Sequence, residues 1–177
     1  MIEGHYFLET KRLVFRTWTK EDLDLALGLW GDYEVTKLFD KRGQLSKEQV
    51  NDRLSTEIKC QEKYGVQYWP FFNKAGNCHI GGAGLRPKNI KEKQYELGIH
   101  ICSKYWRKGY AFEAANAVIN YAFAELNTSS LFAGHNPLNK ASRHLLLKLG
   151  FRYTHDEFYE PTGLMHPSYE LNSNNHE

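Results

Sequence analysis

The sequence predicts a mixed α/β (α+β) domain with one central sheet and helices packed on it. Three observations carry that prediction. Two segments with helical spacing and capping signals precede a strand-rich block. A long amphipathic helix follows that block, and the chain then closes on a strand, a short helix and two more strands. With 177 residues, 41% of them hydrophobic and 14% aromatic, the chain has apolar mass for one core. It reads as a single domain over 1–177, with its core at about 7–171.

The first element is a strand in "FLETKRLVFRTW", where Leu13, Phe15 and Thr17 alternate with polar residues. Thr19 then caps a helix that carries Leu23, Leu25–Leu27 and Leu29–Trp30, with acids in its first turn. Ser46 and Gln49 have capping-box spacing, and Val50, Leu54 and Ile58 recur every four residues, so a second helix follows. "VQYWPFF", a turn at "NKAGN", "CHIGGAGLRP" and "QYELGIHIC" form the strand block. In "KYWRKGYAFEAANAVINYAF", Ala111, Ala114, Ala115, Val118, Ala122 and Leu126 make one apolar helix face. "SSLFAGHN" is a strand, and "NKASRHLLLKLG" a short helix that Gly150 ends. "FRYTHDEFYEP" and "MHPSYEL" form a hairpin around "PTG", and the tail "NSNNHE" frays.

Composition excludes several classes of function. A formal net charge of +2 is too mild for a nucleic-acid face, which needs clustered basic residues. Cys60, Cys78 and Cys102 are widely spaced and form no CxxC pair, so they read as reduced thiols and not as a disulfide or metal framework. "MIEGHYFLETKR" has no apolar signal run, and no stretch approaches 18 apolar residues. No nucleic-acid, membrane or metal partner is expected, and the expected compartment is the cytoplasm.

Two glycine-rich segments invite a phosphate reading. In "IGGAGLRP" the third glycine position of a GxGxxG fingerprint is Pro87 and no helix pattern follows, so the segment reads as a strand of small residues. The second, "SKYWRKGYA", lies between a strand and a helix start. There unpaired N–H groups and the positive dipole end attract an anion. Arg107 and Lys108 oppose that dipole unless a polyanion sits beside them, and Gly109 and Ala111 leave room for it. The alternative is that Gly109 only turns the chain and the cations are solvated.

"WRKGYA" after "YELGIHI" resembles the acyl-CoA pyrophosphate loop of the GNAT N-acetyltransferases, whose pattern is Q/R-x-x-G-x-G/A. "NPLNKASRHLLLKLGF" is similar to the family's second CoA-binding segment. "LETKRLVFRTWTKEDLDLALGLW" resembles the first strand and helix of its RimJ/RimL-like branch, which includes ribosomal-protein N-acetyltransferases. The likeness runs from about Phe7 to Leu171. It implies the GNAT fold, a mostly antiparallel splayed sheet flanked by about four helices. It also implies acetyl transfer from acetyl-CoA to an amine, and a homodimer, common in the branch. Two positions depart from the pattern. Trp106 stands at the Q/R position, and Leu146 where many relatives carry a tyrosine acid.

The resemblance also implies residue roles. The strand Ile99, His100, Ile101 pairs its backbone with the pantetheine arm, and a bulge at Gly98 leaves an N–H near Ile99 for the oxyanion. Backbone of Arg107, Lys108, Gly109, Tyr110, Ala111 and Phe112 cradles the pyrophosphate. Asn136 and Asn139 contact the cofactor arm, or else turn the chain and cap the helix. Ser142 is the candidate proton donor, and Glu96 the favoured general base. Glu96 shares a strand face with Gly98 and His100. His100 and His135 are further base candidates, and His166 and Tyr169 candidates for the substrate side. Trp69, Phe71, Phe72, Phe158 and Tyr159 are candidate cleft walls. Cys102 raises a covalent acetyl-cysteine route but has no activating partner. The acceptor stays open among protein N-termini, polyamines, antibiotics and other small amines. The alternative function is an inactive CoA-binding or regulatory domain of the same fold.

Overall fold

Thr10 breaks the first extended segment. Its hydroxyl oxygen accepts the Leu13 N–H at 2.9 Å and the Arg12 N–H at 3.3 Å, so the chain doubles back. The result is an antiparallel pair, β1 (Leu8–Glu9) and β2 (Leu13–Phe15), in place of the one strand the alternation predicts. The structure is a computed structural model, described over residues 5–175. Helices α1 (Leu23–Trp30), α2 (Tyr33–Thr36) and α3 (Lys47–Tyr64) follow; the short α2 was not foreseen. The capping box of Ser46 and Gln49 starts α3 as expected.

The remaining strands are β3 (Tyr68–Asn73), β4 (His79–Asn89), β5 (Gln94–Ile101), β6 (Ser130–Gly134), β7 (Arg152–Tyr159) and β8 (Leu164–Asn172). Helix α4 (Tyr110–Ala124) links β5 to β6, and α5 (Lys140–Lys148) links β6 to β7. All eight strands form one sheet in the order β1-β2-β3-β4-β5-β6-β8-β7. Every neighbouring pair is antiparallel except β5 with β6. Among the described residues the helices number five, against about four expected. The tail expected to fray supplies the end of β8 and a 3-10 turn at Ser173–Asn175; residues 176–177 lie outside the described residues.

Strand parity builds two apolar layers. Leu13, Phe15, Trp69, Phe71, Leu85 and Leu97 pack toward the alanine face of α4, where Ala114, Ala115, Val118 and Ala122 are fully buried. Trp18, Leu29, Trp30, Val50 and Leu54 form a second cluster under α1 and α3. A buried polar seam ties α3 to the sheet. Gln67 donates to the Glu57 carbonyl at 3.0 Å and accepts the Trp18 N–H at 2.7 Å, while a Glu57 carboxylate oxygen accepts the Tyr68 N–H at 2.9 Å. Leaving any of these groups unpaired in the interior costs about 1–3 kcal/mol, so the seam fixes the register of α3 on β3.

Gly98 holds no bulge. It pairs with Gly84 in unbroken β4–β5 register, and the irregularity falls between Pro87 and Asn89. The residue is small for another reason: a Cβ here would stand 2.2 Å from Cζ of Tyr68, whose ring lies across the backbone.

Candidate active site

The sheet opens where its one parallel pair ends. Strands β5 and β6 are in register only at Gln94–Ser130, Tyr95–Leu131 and Glu96–Phe132; beyond that they part. The Cys102 N–H donates to Ile80 of β4, so alternate residues of β5 point their backbone groups at β4 and the others point away. By that alternation the N–H and C=O of Ile99 and Ile101 face the gap, past the last β6 partner. Trp106 closes the far end, its indole N–H donating to the Ile101 carbonyl at 2.8 Å. Since β5 and β6 run parallel, their C-terminal ends lie at one edge of the sheet, and α4 and α5 both start there.

At the start of α4, Arg107 (φ 60°) and Gly109 (φ 77°) both take the left-handed conformation. Gly109 does so without strain; Arg107 does not, and such strain in a non-glycine residue collects at functional loops. None of the backbone N–H groups from Arg107 to Phe112 donates to an acceptor among the described residues, and Gly109 caps the helix with no side-chain bond. Lys104, Arg107 and Lys108 are exposed around this end. Arg12 braces it from β2's side, donating to the Lys108 carbonyl at 3.1 Å and pairing with Glu113 at 2.5 Å. A row of free donors, a dipole end and several cations together suit a phosphate-bearing ligand. No group of three or more His, Cys, Asp or Glu placed to hold a metal occurs among the described residues.

The opposite face of β5 carries Glu96, Gly98 and His100 toward α1 and α3. His100 Nδ1 accepts the Trp30 indole N–H at 3.2 Å, and its ring meets Phe39 at 4.6 Å and Tyr68 at 5.6 Å. Burial, with the Arg53 and Arg86 charges, holds this imidazole neutral well below the usual histidine range. Burial also raises the Glu96 carboxyl, although Arg86 and Lys88 oppose it. Arg86 lies over the Tyr68 ring at 4.3 Å and pairs closely with Glu57. Burial and the nearby Glu96 raise the Tyr68 phenol, which stays protonated. The segment between α2 and α3 is tied to the β7–β8 turn and to the β6–α5 loop: the Lys41 N–H donates to the Pro161 carbonyl at 2.9 Å, and Asn136 Nδ2 donates to the Leu38 carbonyl at 3.2 Å.

Asn136 is buried, and its Oδ1 accepts the Leu138 N–H at 3.0 Å, so both ends of its amide are engaged within the chain. Asn139 caps α5 by accepting the Ser142 N–H at 3.0 Å, and Ser142 lies half-buried in that first turn. His135 is buried between the Asn136 carbonyl at 2.8 Å and the Tyr169 hydroxyl at 3.3 Å. Tyr169 is core, and His166 contacts Thr162 at 2.8 Å. Trp69 and Phe71 do not wall the cleft: strand parity turns them into the core beneath α4. Phe72 is buried against His79. Phe158 and Tyr159 are exposed on the β7–β8 hairpin. Cys102 is buried, and burial pushes its thiol up to about 11, away from the thiolate that a covalent route needs. Arg53, Glu57, Tyr68 and Arg86 were missed. The parity of "YWPFF" could have found Tyr68, since it alternates with Trp69. A long-range cluster of charges leaves no trace in local spacing.

The sequence over residues 12–152 matches the model of the GNAT acetyltransferase domain. The chain belongs to the GNAT acetyltransferase family. It is 32% identical over 146 residues to YoaA of Bacillus subtilis, described as an uncharacterized N-acetyltransferase, across 82% of each chain. Among solved structures it superposes on the ribosomal-protein-S5-alanine acetyltransferase of Vibrio fischeri with TM-score 0.77, at 17% identity over 96% of this chain and 97% of that one. It also superposes on the spermidine N-acetyltransferase of Vibrio cholerae, determined with CoA and spermine, with TM-score 0.78 at 18% identity. That match covers 94% of this chain and 98% of the other. At such identities these two structures share the fold. No helix among the described residues is long and apolar enough to cross a membrane.

Proposed function

We propose that this chain is an N-acetyltransferase of the RimJ/RimL-like branch, moving an acetyl group from acetyl-CoA to a primary amine with both bound at once. The observation that carries the reading is the run of N–H groups from Arg107 to Phe112, unpartnered among the described residues, at the same sheet edge as the β5–β6 gap. CoA bound to the spermidine acetyltransferase of similar fold supports it. Acetyl-CoA supplies a thioester carbonyl as electrophile and a thiolate as leaving group.

In this reading Arg107–Phe112 hold the pyrophosphate by backbone, and Lys104, Arg107 and Lys108 add charge around it. Ile99 and Ile101 hold the pantetheine amides as a missing strand would. The Ile99 N–H steadies the carbonyl oxygen as it gains charge. Ser142, half-buried in the first turn of α5, returns a proton to the departing sulfur. Glu96, directly or through water, takes the proton released by the attacking nitrogen. With the imidazole of His100 held neutral and hydrogen-bonded to Trp30, that residue orients more than it titrates. The demand on a base depends on the amine. An α-amine near pKa 8 needs about one unit of deprotonation at neutral pH, roughly 1.4 kcal/mol, whereas lysine near 10.4 needs over three. A site without a histidine–acid pair therefore suits an α-amine better than a lysine.

Calorimetric titration with acetyl-CoA, followed by a thiol-release screen over peptides, polyamines and small amines, tests the proposal. Binding with turnover is the expected result. Binding with no turnover of any amine would favour an inactive CoA-binding domain, and absence of binding by folded protein would sink the pyrophosphate loop itself.

A further inference from the structure

Arg53 is a charge without an ion pair among the described residues. It projects from α3 into the acceptor face of β5. Its guanidinium lies 4.9 Å from the Trp30 ring and 5.1 Å from the Phe39 ring, and Phe39 in turn stands 4.6 Å from His100. Among the described residues the buried Nε has no hydrogen-bond partner, and Arg53 forms no salt bridge. Two carboxylates are near enough to influence it, and both are committed elsewhere. Glu57 pairs with Arg86 and accepts the Tyr68 N–H. Asp40 accepts from Arg42 through both oxygens, at 2.9 and 2.5 Å. The two rings stabilise the cation, but they offer nothing to its in-plane donors. A half-buried arginine whose inner Nε is unpaired, beside the strand where acetyl transfer is placed, suits a planar anion.

The geometry points to an acceptor amine that carries a carboxylate a few bonds from the attacking nitrogen, a free amino acid in chemical class, with Arg53 as the residue that reads the carboxylate. The inference rests on the acetyltransferase reading and narrows it. Two consequences follow from charge alone. A diamine or polyamine places its second ammonium against Arg53 and Arg86, so it is a poor acceptor. The same cations favour the neutral form of the incoming amine, which lightens the demand on Glu96. Burial and the Arg86 charge lower the pKa of Arg53 from its ordinary value, with Glu57 opposing; an arriving carboxylate relieves that cost.

Matched acceptor sets test it: free amino acids, the same compounds as carboxamides, and the amines left by decarboxylation, assayed by thiol release with saturating acetyl-CoA. The expected result is a kcat/KM on the order of 10²-fold higher for the acids, as for sites that lose a buried polar partner. In Arg53→Gln that preference collapses toward one, chiefly through a raised KM for the acids, with acetyl-CoA affinity retained by calorimetry. Arg53→Lys, which keeps the charge without the fork, recovers part of it. Equal or better turnover of carboxamides or polyamines by the wild-type protein overturns the inference and leaves the acetyltransferase reading standing. Failure of the folded protein to bind acetyl-CoA overturns both.

Discussion

Gly109 is where one dihedral angle connects sequence to the proposed ligand. Its φ of 77° belongs to the left-handed region, and an added Cβ would meet nothing closer than Arg12 at 3.5 Å, so the penalty for alanine is conformational and not steric. Gly109→Ala should cost about 1–2 kcal/mol of stability, since an L residue resists that backbone. Acetyl-CoA affinity should fall about tenfold as well, because the same dihedral aims the Tyr110 and Ala111 N–H groups. Thermal unfolding and calorimetry on one preparation separate the two effects, and lost stability with unchanged affinity would remove the loop from the ligand site. Glu96 allows a test through pH. A carboxyl whose folded pKa lies above its unfolded value stabilises the fold while protonated, and that contribution is lost as pH rises through the folded pKa. Burial raises Glu96 in this sense. Glu96→Gln should therefore unfold at a higher temperature than wild type near about pH 8, with the advantage gone by about pH 4. If Glu96 is the base, kcat in that variant falls on the order of 10²-fold while the fold is strengthened.

Strand β5 divides its side chains between two layers, with Leu97, Ile99 and Ile101 packed toward α4, and Glu96, Gly98 and His100 toward α1 and α3. Gly98 sets how closely Tyr68 approaches. Gly98→Ala would press a Cβ against Cζ of that ring, at a cost of about 1–3 kcal/mol if the ring can shift. Adding Tyr68→Phe should return little of this, since the clash is with the ring and not the hydroxyl. Tyr68→Leu should return most of it, measured as denaturation midpoints in a double-mutant cycle. The elements themselves were largely legible. The Ser46–Gln49 box, the alanine face of α4 and the loop "WRKGYA" are local patterns, and local patterns are what spacing records. The division of β1 from β2 was not legible, because it turns on the Thr10 hydroxyl reaching Leu13 and Glu113. The proposed acceptor face was hidden for the same kind of reason. Arg53, Glu57, Tyr68, Arg86 and His100 meet only when α3, β3, β4 and β5 are stacked, so nothing in any one segment marks them.

On the scale of the molecule, an eight-stranded sheet is held across its middle by three residue pairs between β5 and β6. The ladders on either side of that seam are longer, with eight residue pairs between β4 and β5 and five between β6 and β8. The cleft is thus a weak seam between two longer ladders, and a ligand lying in it as an extra strand would join the two halves. Binding to the folded state alone adds about 2.7 kcal/mol at a hundred times Kd, so acetyl-CoA should raise the melting temperature by several degrees. How that protection is distributed is the sharper test. Amide hydrogen exchange should slow at Ile99, Ile101 and Arg107–Phe112, whose N–H groups gain acceptors, and in β6, which is anchored across the gap. Strand β7 lies at the sheet's outer edge, exposed along its whole length, and should exchange as before. Slowing confined to β7 and β8 would place the ligand on the hairpin side and detach the pyrophosphate loop from it. Slowing at the α4 start without Ile99 would keep the phosphate site but take the pantetheine arm, and with it the acetyl group, out of the gap beside Glu96 and Arg53.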